Sequence, residues 1–131
     1  KEELLQAILT VITARLVHLL ESAKTEQMPF EKFLFYLASM MKAPQVRPFL
    51  RLSLELAAMS SQGESFYTAI AKQICDDFFR WMARTLKVDC EEQRIPLAAL
   101  AFATTEGLMV LDALGSASIV EKALAGIELK N

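Results

Sequence analysis

The chain of 131 residues has the length of one domain, and 53% of its residues are hydrophobic, which is ample for a buried core. Its 14 basic and 16 acidic residues give a net charge of −2. They form no basic cluster, which excludes the dense positive surface that neutralises nucleic-acid phosphates. Charged residues interrupt every apolar run before it reaches the roughly 18 residues of a membrane span. We therefore expect a soluble protein with no membrane partner.

The two cysteines indicate the compartment. Cys75 and Cys90 match neither a CxxC redox motif nor a zinc-binding framework, and we expect unpaired thiols in a reducing cytoplasm. The chain opens with K-E-E-L-L-Q-A-I-L, inside a helical pattern and without a signal peptide. We interpret it as the C-terminal part of a longer cytoplasmic protein.

The first predicted helix, from Lys1 to about Ala23, is apolar over more of its surface than a single core would cover. Leucine and isoleucine at spacings of three and four form its main stripe. Leu4, Val11 and Val17 add apolar surface away from that stripe. This surplus is typical of a helix that bridges to another domain.

Prolines mark the next two predicted helices. Pro29 occupies a favourable first position of the second helix. That helix ends at Ala43, because the residue before Pro44 is pushed out of the helical conformation. The third helix begins between Pro44 and Pro48 and runs to about Met59.

The longest predicted helix runs from about Gly63 to Lys87. The preceding Ser61-Gln-Gly-Glu64 has the pattern of a capping box. Apolar residues then recur every three or four positions, with polar residues on the far side. Trp81 continues the apolar stripe and is assigned to the core.

Asp89-Cys-Glu-Glu92 is a second capping pattern, followed by a turn or kink because Pro96 lies too deep for an undisturbed helix. The next helix, from Pro96 to Gly115, is apolar on two sides and must be covered on both. Gly115 closes it as a left-handed cap, and Ser118 caps a last short helix ending at about Ala125.

A chain of this size has little protein left to cover the second side of the penultimate helix, so we expect another subunit to cover it. The last two helices would then pair with their symmetry copies in a four-helix seam. Gly107, unfavourable inside a helix, suits the close approach of another backbone. The predicted dimer-interface residues are Leu97, Leu100, Ala101, Thr104, Gly107, Leu108, Leu111, Ile119, Val120, Ala123 and Leu124. The side predicted to face the chain's own core carries Ala99, Phe102, Ala103, Met109, Val110 and Ala113.

Residues 1–131 are thus predicted to form one all-α domain, a six-helix orthogonal or antiparallel bundle. The element order resembles the regulatory domain of tetracycline-repressor-type (TetR family) transcription factors. Three features carry the resemblance: the opening K-E-E-L-L-Q-A-I-L, the long helix after a Gly-Glu turn, and A-A-L-A-F-A-T-T-E-G-L-M-V-L near the end. In that family, a phrase like the first follows the DNA-reading helix-turn-helix, and one like the last marks the dimerisation helix.

The resemblance implies a homodimeric, ligand-responsive regulator in which operator DNA is bound only by an N-terminal domain missing from this chain. A small hydrophobic or aromatic effector would enter a cavity among the helices and move the first helix. Eight Phe and six Met suit such a cavity, although the same residues can simply fill the core. The predicted ligand-binding residues are Phe33, Leu37, Met40, Phe49, Leu52, Met59, Phe66, Tyr67, Ile70, Ile74, Phe78, Phe102, Glu106 and Met109.

Glu106 is an acidic residue on a helix that is apolar nearly all round. A buried carboxylate requires a partner or a raised pKa. It either binds a polar or cationic group of the ligand or forms a hydrogen bond across the dimer seam. His18, the only histidine, is either a pH-sensitive group or a partly exposed residue near a helix C-terminus.

The sequence does not favour an enzyme. It has no G-x-S-x-G, phosphate-binding glycine loop or H-E-x-x-H motif, and one histidine. We expect no catalytic residues, metal site or cofactor. The alternative to the regulator is a helical interaction or adaptor module with a filled core and no small ligand.

Overall fold

A computed structural model describes residues 2–22 and 26–129. It is 84% helical, with six α-helices and no strand in these ranges, which confirms the all-α prediction. The predicted helix ends at Lys1 and Ala23 lie outside the described residues. The helices are α1 (Glu2–Ser22), α2 (Phe30–Met41), α3 (Arg47–Ser61), α4 (Ser65–Thr85), α5 (Arg94–Ala113) and α6 (Ala117–Leu129).

Prolines set two of the helix starts. Pro29 is the N-cap of α2 rather than its first residue, and its carbonyl accepts a hydrogen bond from the Phe33 N–H at 2.9 Å. Helix α3 begins at Arg47, inside the predicted window. Pro48 falls in its first turn, where the missing N–H removes no intrahelical hydrogen bond.

The predicted capping box before α4 is wrong. Ser61 belongs to the last turn of α3, where its hydroxyl donates to the Ala58 carbonyl at 2.7 Å. Gly63 then takes a left-handed conformation with φ of 85°. Glu64 is the N-cap of α4 and makes no side-chain capping hydrogen bond. The left-handed turn therefore separates Ser61 from the first turn of α4.

A short 3₁₀ turn, Glu91–Gln93, precedes α5 and confirms the predicted turn. The capping pattern at Asp89 does not form, because Cys90 is the N-cap of this turn and makes no side-chain capping hydrogen bond. Proline at position 96 lies in the first turn of α5, where it is tolerated.

The turn between α5 and α6 has the left-handed cap that the sequence predicts. Gly115 has φ of 84°. Its N–H donates to the Asp112 carbonyl at 3.0 Å, and the Ser116 N–H donates to the Leu111 carbonyl at 2.9 Å. The predicted cap at Ser118 is wrong, because α6 begins one residue before it, and α6 also extends to Leu129.

Helices α4 and α5 form the centre of the bundle. Helix α3 packs on α4, α2 and α6 pack on α5, and α1 lies against α3 and α4. Phe33 is completely buried, with its ring centroid 5.7 Å from that of Trp81, which confirms Trp81 as a core residue. A second, smaller cluster joins α1, α3 and α4 through Leu9, Leu56 and Ile70.

Arg94 ties the start of α5 to the end of α4. Its Nη1 donates to the carbonyls of Ala83 and Leu86, each at 2.6 Å. Carbonyls at a helix C-terminus lack intrahelical partners, so these bonds satisfy them. Nε and Nη2 donate to the Glu91 carboxylate at 2.9 and 2.8 Å. This hydrogen bonding lowers the pKa of Glu91 and raises that of Arg94.

Helices α1 and α5 leave much of their apolar surface uncovered. The segments Glu3–Ser22 and Glu91–Ala113 are long and apolar enough to cross a membrane by length and composition, and only 22% of each 18-residue window is buried. This corrects the expectation that charges interrupt every such segment, since single charges such as Arg15 and Glu106 lower the hydropathy too little. Core helices of soluble proteins and N-terminal signal sequences share this property.

The Arg94 contacts make a first prediction. Arg94→Met keeps a stem of similar length but removes the donors to Ala83 and Leu86, and it should lower the Tm in a circular dichroism melt. The carbonyl contacts should dominate, because the exposed Glu91 carboxylate is screened by water. Arg51→Met, at an exposed position of α3, is the control. Equal melting of both variants and the wild type would contradict the structural role of Arg94.

Candidate ligand-binding cavity

An apolar cavity of about 160 Å³ lies among α1, α2, α3, α4 and α5. Its walls are mostly aliphatic, methionine and aromatic side chains. The structure brings together these predicted ligand-binding residues in the cavity wall: Leu37, Met40, Phe49, Ile74, Phe78, Phe102, Glu106 and Met109.

The other predicted ligand-binding residues lie elsewhere. Phe33 is buried in the main core, and Leu52 lines a separate cleft beside α1. Met59 is half-buried near the end of α3 and is not part of the cavity wall. Phe66, Tyr67 and Ile70 belong to the smaller cluster with Leu9. These residues do not line this cavity, because helical spacing marks a buried face but not which end of that face borders the cavity.

The sequence analysis did not predict several of the residues that line the cavity. Leu16 and Leu20 reach the cavity from α1, and Trp81 lines it as well as filling the core. Ala71 and Cys75 of α4 also line it. They lie three residues before Ile74 and Phe78, so the helical repeat places them on the same face. Small side chains on a helix face that otherwise carries large ones are a feature of the sequence from which a cavity could have been predicted at this position.

The cavity is partly open to solvent, so its volume sets the size of the part of a guest that it can enclose. Drug-sized ligands occupy pockets of roughly 300–1,000 Å³, whereas an apolar cavity of about 150 Å³ binds benzene. At about 160 Å³, this cavity matches a guest of one ring.

Among the described residues, Glu106 is the one carboxyl in the cavity wall. It is an exposed residue that also lines the cavity, so it lies at the cavity mouth. Partial burial of its carboxyl raises its pKa. It makes no ion pair or side-chain hydrogen bond with the residues that the structure describes. The neighbouring Thr105 hydroxyl is already occupied, since it donates to the Ala101 carbonyl at 2.8 Å.

Cys75 lies close to Glu106 across the α4–α5 contact. Burial raises the pKa of the Cys75 thiol, and the carboxylates of Glu106 and Asp76 raise it further. Cys75 and Cys90 are both exposed and form no disulfide with each other. Within residues 2–22 and 26–129, no three His, Cys, Asp or Glu side chains are grouped so that they could hold a metal ion.

A larger groove of about 400 Å³ runs between α1 and α4. His18 is exposed in its wall. The charges in the groove are paired: Arg84 contacts Glu21 at 2.9 Å, and Arg80 pairs with Asp77. The Thr13 hydroxyl donates to its own helix. Since these groups already satisfy one another, the apolar cavity is the better candidate site.

The structure corrects which side of α5 faces outward. Among the predicted dimer-interface residues, Ala101, Leu108 and Val120 are buried within the chain itself. Four others are half-buried: Leu97, Thr104, Leu111 and Leu124. Leu100, Gly107, Ile119 and Ala123 are exposed.

The outward side of α5 is instead a stripe of small and aliphatic residues, which we call the outer stripe: Ala99, Leu100, Ala103, Gly107, Val110, Ala113 and Leu114. Leu100 is 52% and Leu114 is 73% exposed. Ala99, Ala103, Val110 and Ala113 had been predicted to face the core. The larger Leu108 and Met109 fill the chain's own interior, and this rotation of the helix leaves the smaller side chains outside.

Comparison with family models, curated proteins and solved structures found no match to this chain. The TetR resemblance therefore rests on the sequence motifs described above.

The raised pKa of Glu106 makes a prediction about stability. In the pH range between the ordinary and the raised pKa, the folded state holds a proton that the unfolded state has lost, so the free energy of unfolding falls as the pH rises. Glu106→Gln removes the titrating carboxyl and with it this decrease in the free energy of unfolding. The variant should gain stability relative to the wild type from acidic to neutral pH, as measured by urea unfolding. If the difference in the free energy of unfolding between the variant and the wild type stays constant with pH, the raised pKa of Glu106 is contradicted.

Proposed function

We propose that this chain is the effector-binding and homodimerisation domain of a TetR-type transcriptional regulator that acts in the cytoplasm and has no enzymatic activity. The observation that most supports this proposal is the apolar cavity, which is large enough for a small hydrophobic or aromatic effector of one ring. Operator DNA would be bound only by a separate N-terminal domain.

Helix α1 supplies a route from the cavity to such a domain. Leu16 and Leu20 line the cavity, so a guest would contact α1 directly. At the other end of α1, Leu4 is 66% exposed, and Ile8 and Val11 are exposed as well. These residues offer an apolar surface on which a preceding domain can pack. A ligand can bias the position of α1 only if it binds one arrangement more tightly than the other.

The outer stripe supports the homodimer. Its residues are small or aliphatic, which lets helix backbones approach closely and bury apolar surface. A Cβ placed on Gly107 meets no atom of the chain within 4 Å. A single copy of the chain would therefore accommodate a side chain at position 107. In the dimer, that side chain would clash with the partner helix packed on the outer stripe.

The second candidate function is a helical interaction or adaptor module. The exposed apolar residues of α1 favour it, because a partner protein could bind there without any small ligand. The two functions differ in whether the cavity takes a guest.

Guest binding tests the cavity. Benzene, toluene or phenol should raise the Tm in a thermal-shift assay, with a stabilisation of about 2.7 kcal/mol at a concentration of 100 Kd. Ala71→Leu, which fills the cavity from its α4 wall, should abolish the shift. Ala58→Leu, at an exposed position of α3 outside the wall, should keep it. If no aromatic guest raises the Tm of the wild type, the adaptor is favoured.

Oligomeric state tests the outer stripe. Gly107→Leu and Val110→Glu should shift the mass in sedimentation equilibrium from a dimer to the 14.6 kDa of one chain, because they place bulk or charge in the seam. Ser39→Glu, at an exposed position of α2, controls for added charge. Leu108→Glu is unsuitable, since Leu108 is buried within one copy. A wild type that sediments as a monomer, or variants that stay dimeric, would contradict the proposed seam.

A further inference from the structure

We infer that the guest of this cavity is a small aromatic amine whose protonated nitrogen pairs with the Glu106 carboxylate at the cavity mouth. The inference rests on the proposed function, since it assumes that the cavity takes a guest. It adds the chemical class of that guest, which the apolar lining alone leaves open.

The charge of the guest follows from the lack of a counter-ion for Glu106. No cationic side chain among the described residues forms an ion pair with it, and none lines the cavity. Asp76 and Lys72, which lie near Cys75, neutralise each other at 2.9 Å and do not line the cavity. Among the described residues of the cavity wall, Glu106 therefore supplies the one negative charge at the mouth. An anionic guest would be repelled, whereas an ammonium group would give Glu106 the partner that a carboxylate in apolar surroundings needs.

The aromatic character of the guest follows from the walls. Phe49, Phe78, Trp81 and Phe102 line the cavity, and the rings of Phe49 and Phe78 meet edge to face with centroids 5.3 Å apart. Aromatic surfaces pack well against another ring in offset or edge-to-face contact. They also attract a cation placed over a ring face. A ring with an attached ammonium group uses both interactions.

The size of the guest follows from the volume of about 160 Å³. A space of this size accepts one six-membered ring. With Glu106 at the mouth, the nitrogen would lie one or two bonds from that ring. Benzylamine meets all three requirements, and benzyl alcohol is its neutral counterpart of nearly the same shape.

Cys75 provides a direct readout of occupancy, because it is an exposed residue that also lines the same cavity. In a Cys90→Ser background, a bound guest should slow thiol–disulfide exchange of Cys75 with 4,4′-dithiodipyridine, a neutral reagent that does not react with amines. Titrating benzylamine and benzyl alcohol against this rate at about pH 8, well above the ordinary pKa of a glutamate, gives two apparent affinities. The same titrations are then made with Glu106→Gln.

In the wild-type background, benzylamine should protect Cys75 at a concentration about tenfold lower than benzyl alcohol, the ratio expected when a charge-assisted hydrogen bond replaces a neutral one. Glu106→Gln should remove this preference. The variant should still be protected by benzyl alcohol, which shows that its cavity remains folded.

The other outcomes overturn the inference in distinguishable ways. Equal protection by both compounds in the wild type rejects the amine but leaves the cavity as an effector site. A preference for benzylamine that survives in Glu106→Gln rejects the role of Glu106. If neither compound protects Cys75, the proposed effector site fails together with the inference.

Discussion

Helix α5 is apolar around nearly its whole circumference, and it needs a covering on every side. Within the chain it packs against α2, α4 and α6, and Arg94 fixes its start to the end of α4 through the carbonyls of Ala83 and Leu86. One side, the outer stripe, remains open. The rotation of α5 about its axis thus decides which residues form the core, which border the cavity and which stay exposed.

The cavity and the core are continuous, because one face of α4 serves both. Phe78, Trp81 and Met82 are buried in the main core and also line the cavity. The small Ala71 and Cys75 lie on the same face and line the cavity as well. Glu106 connects the cavity with the outer stripe, because Glu106 lines the cavity and the adjacent Gly107 belongs to the outer stripe. Any change in the rotation of α5 would therefore reach both the proposed effector site and the proposed seam.

Helix α1 is held differently from the other helices. Leu9, Leu16 and Leu20 anchor it to α3 and α4, while Leu4 and Ile8 face away. The cavity and the groove beside α4 both border it. A helix with one face on the cavity and one exposed apolar face can connect the two physically, as the proposed function requires.

The sequence by itself determined the six helices, because proline, glycine and apolar spacing act within a few residues: Pro48 and Gly115 mark boundaries that the structure retains. It also identified Trp81 as core and selected much of the cavity wall, including Phe49, Phe78 and Glu106. Only the tertiary structure decided that Phe66 joins a different cluster, and that Leu108 points inward while Val110 points outward. Helical periodicity predicts which residues share a face of a helix. The rotation of each helix about its axis depends on which side chains fill the space between neighbouring helices, and that is decided only when all six helices pack together.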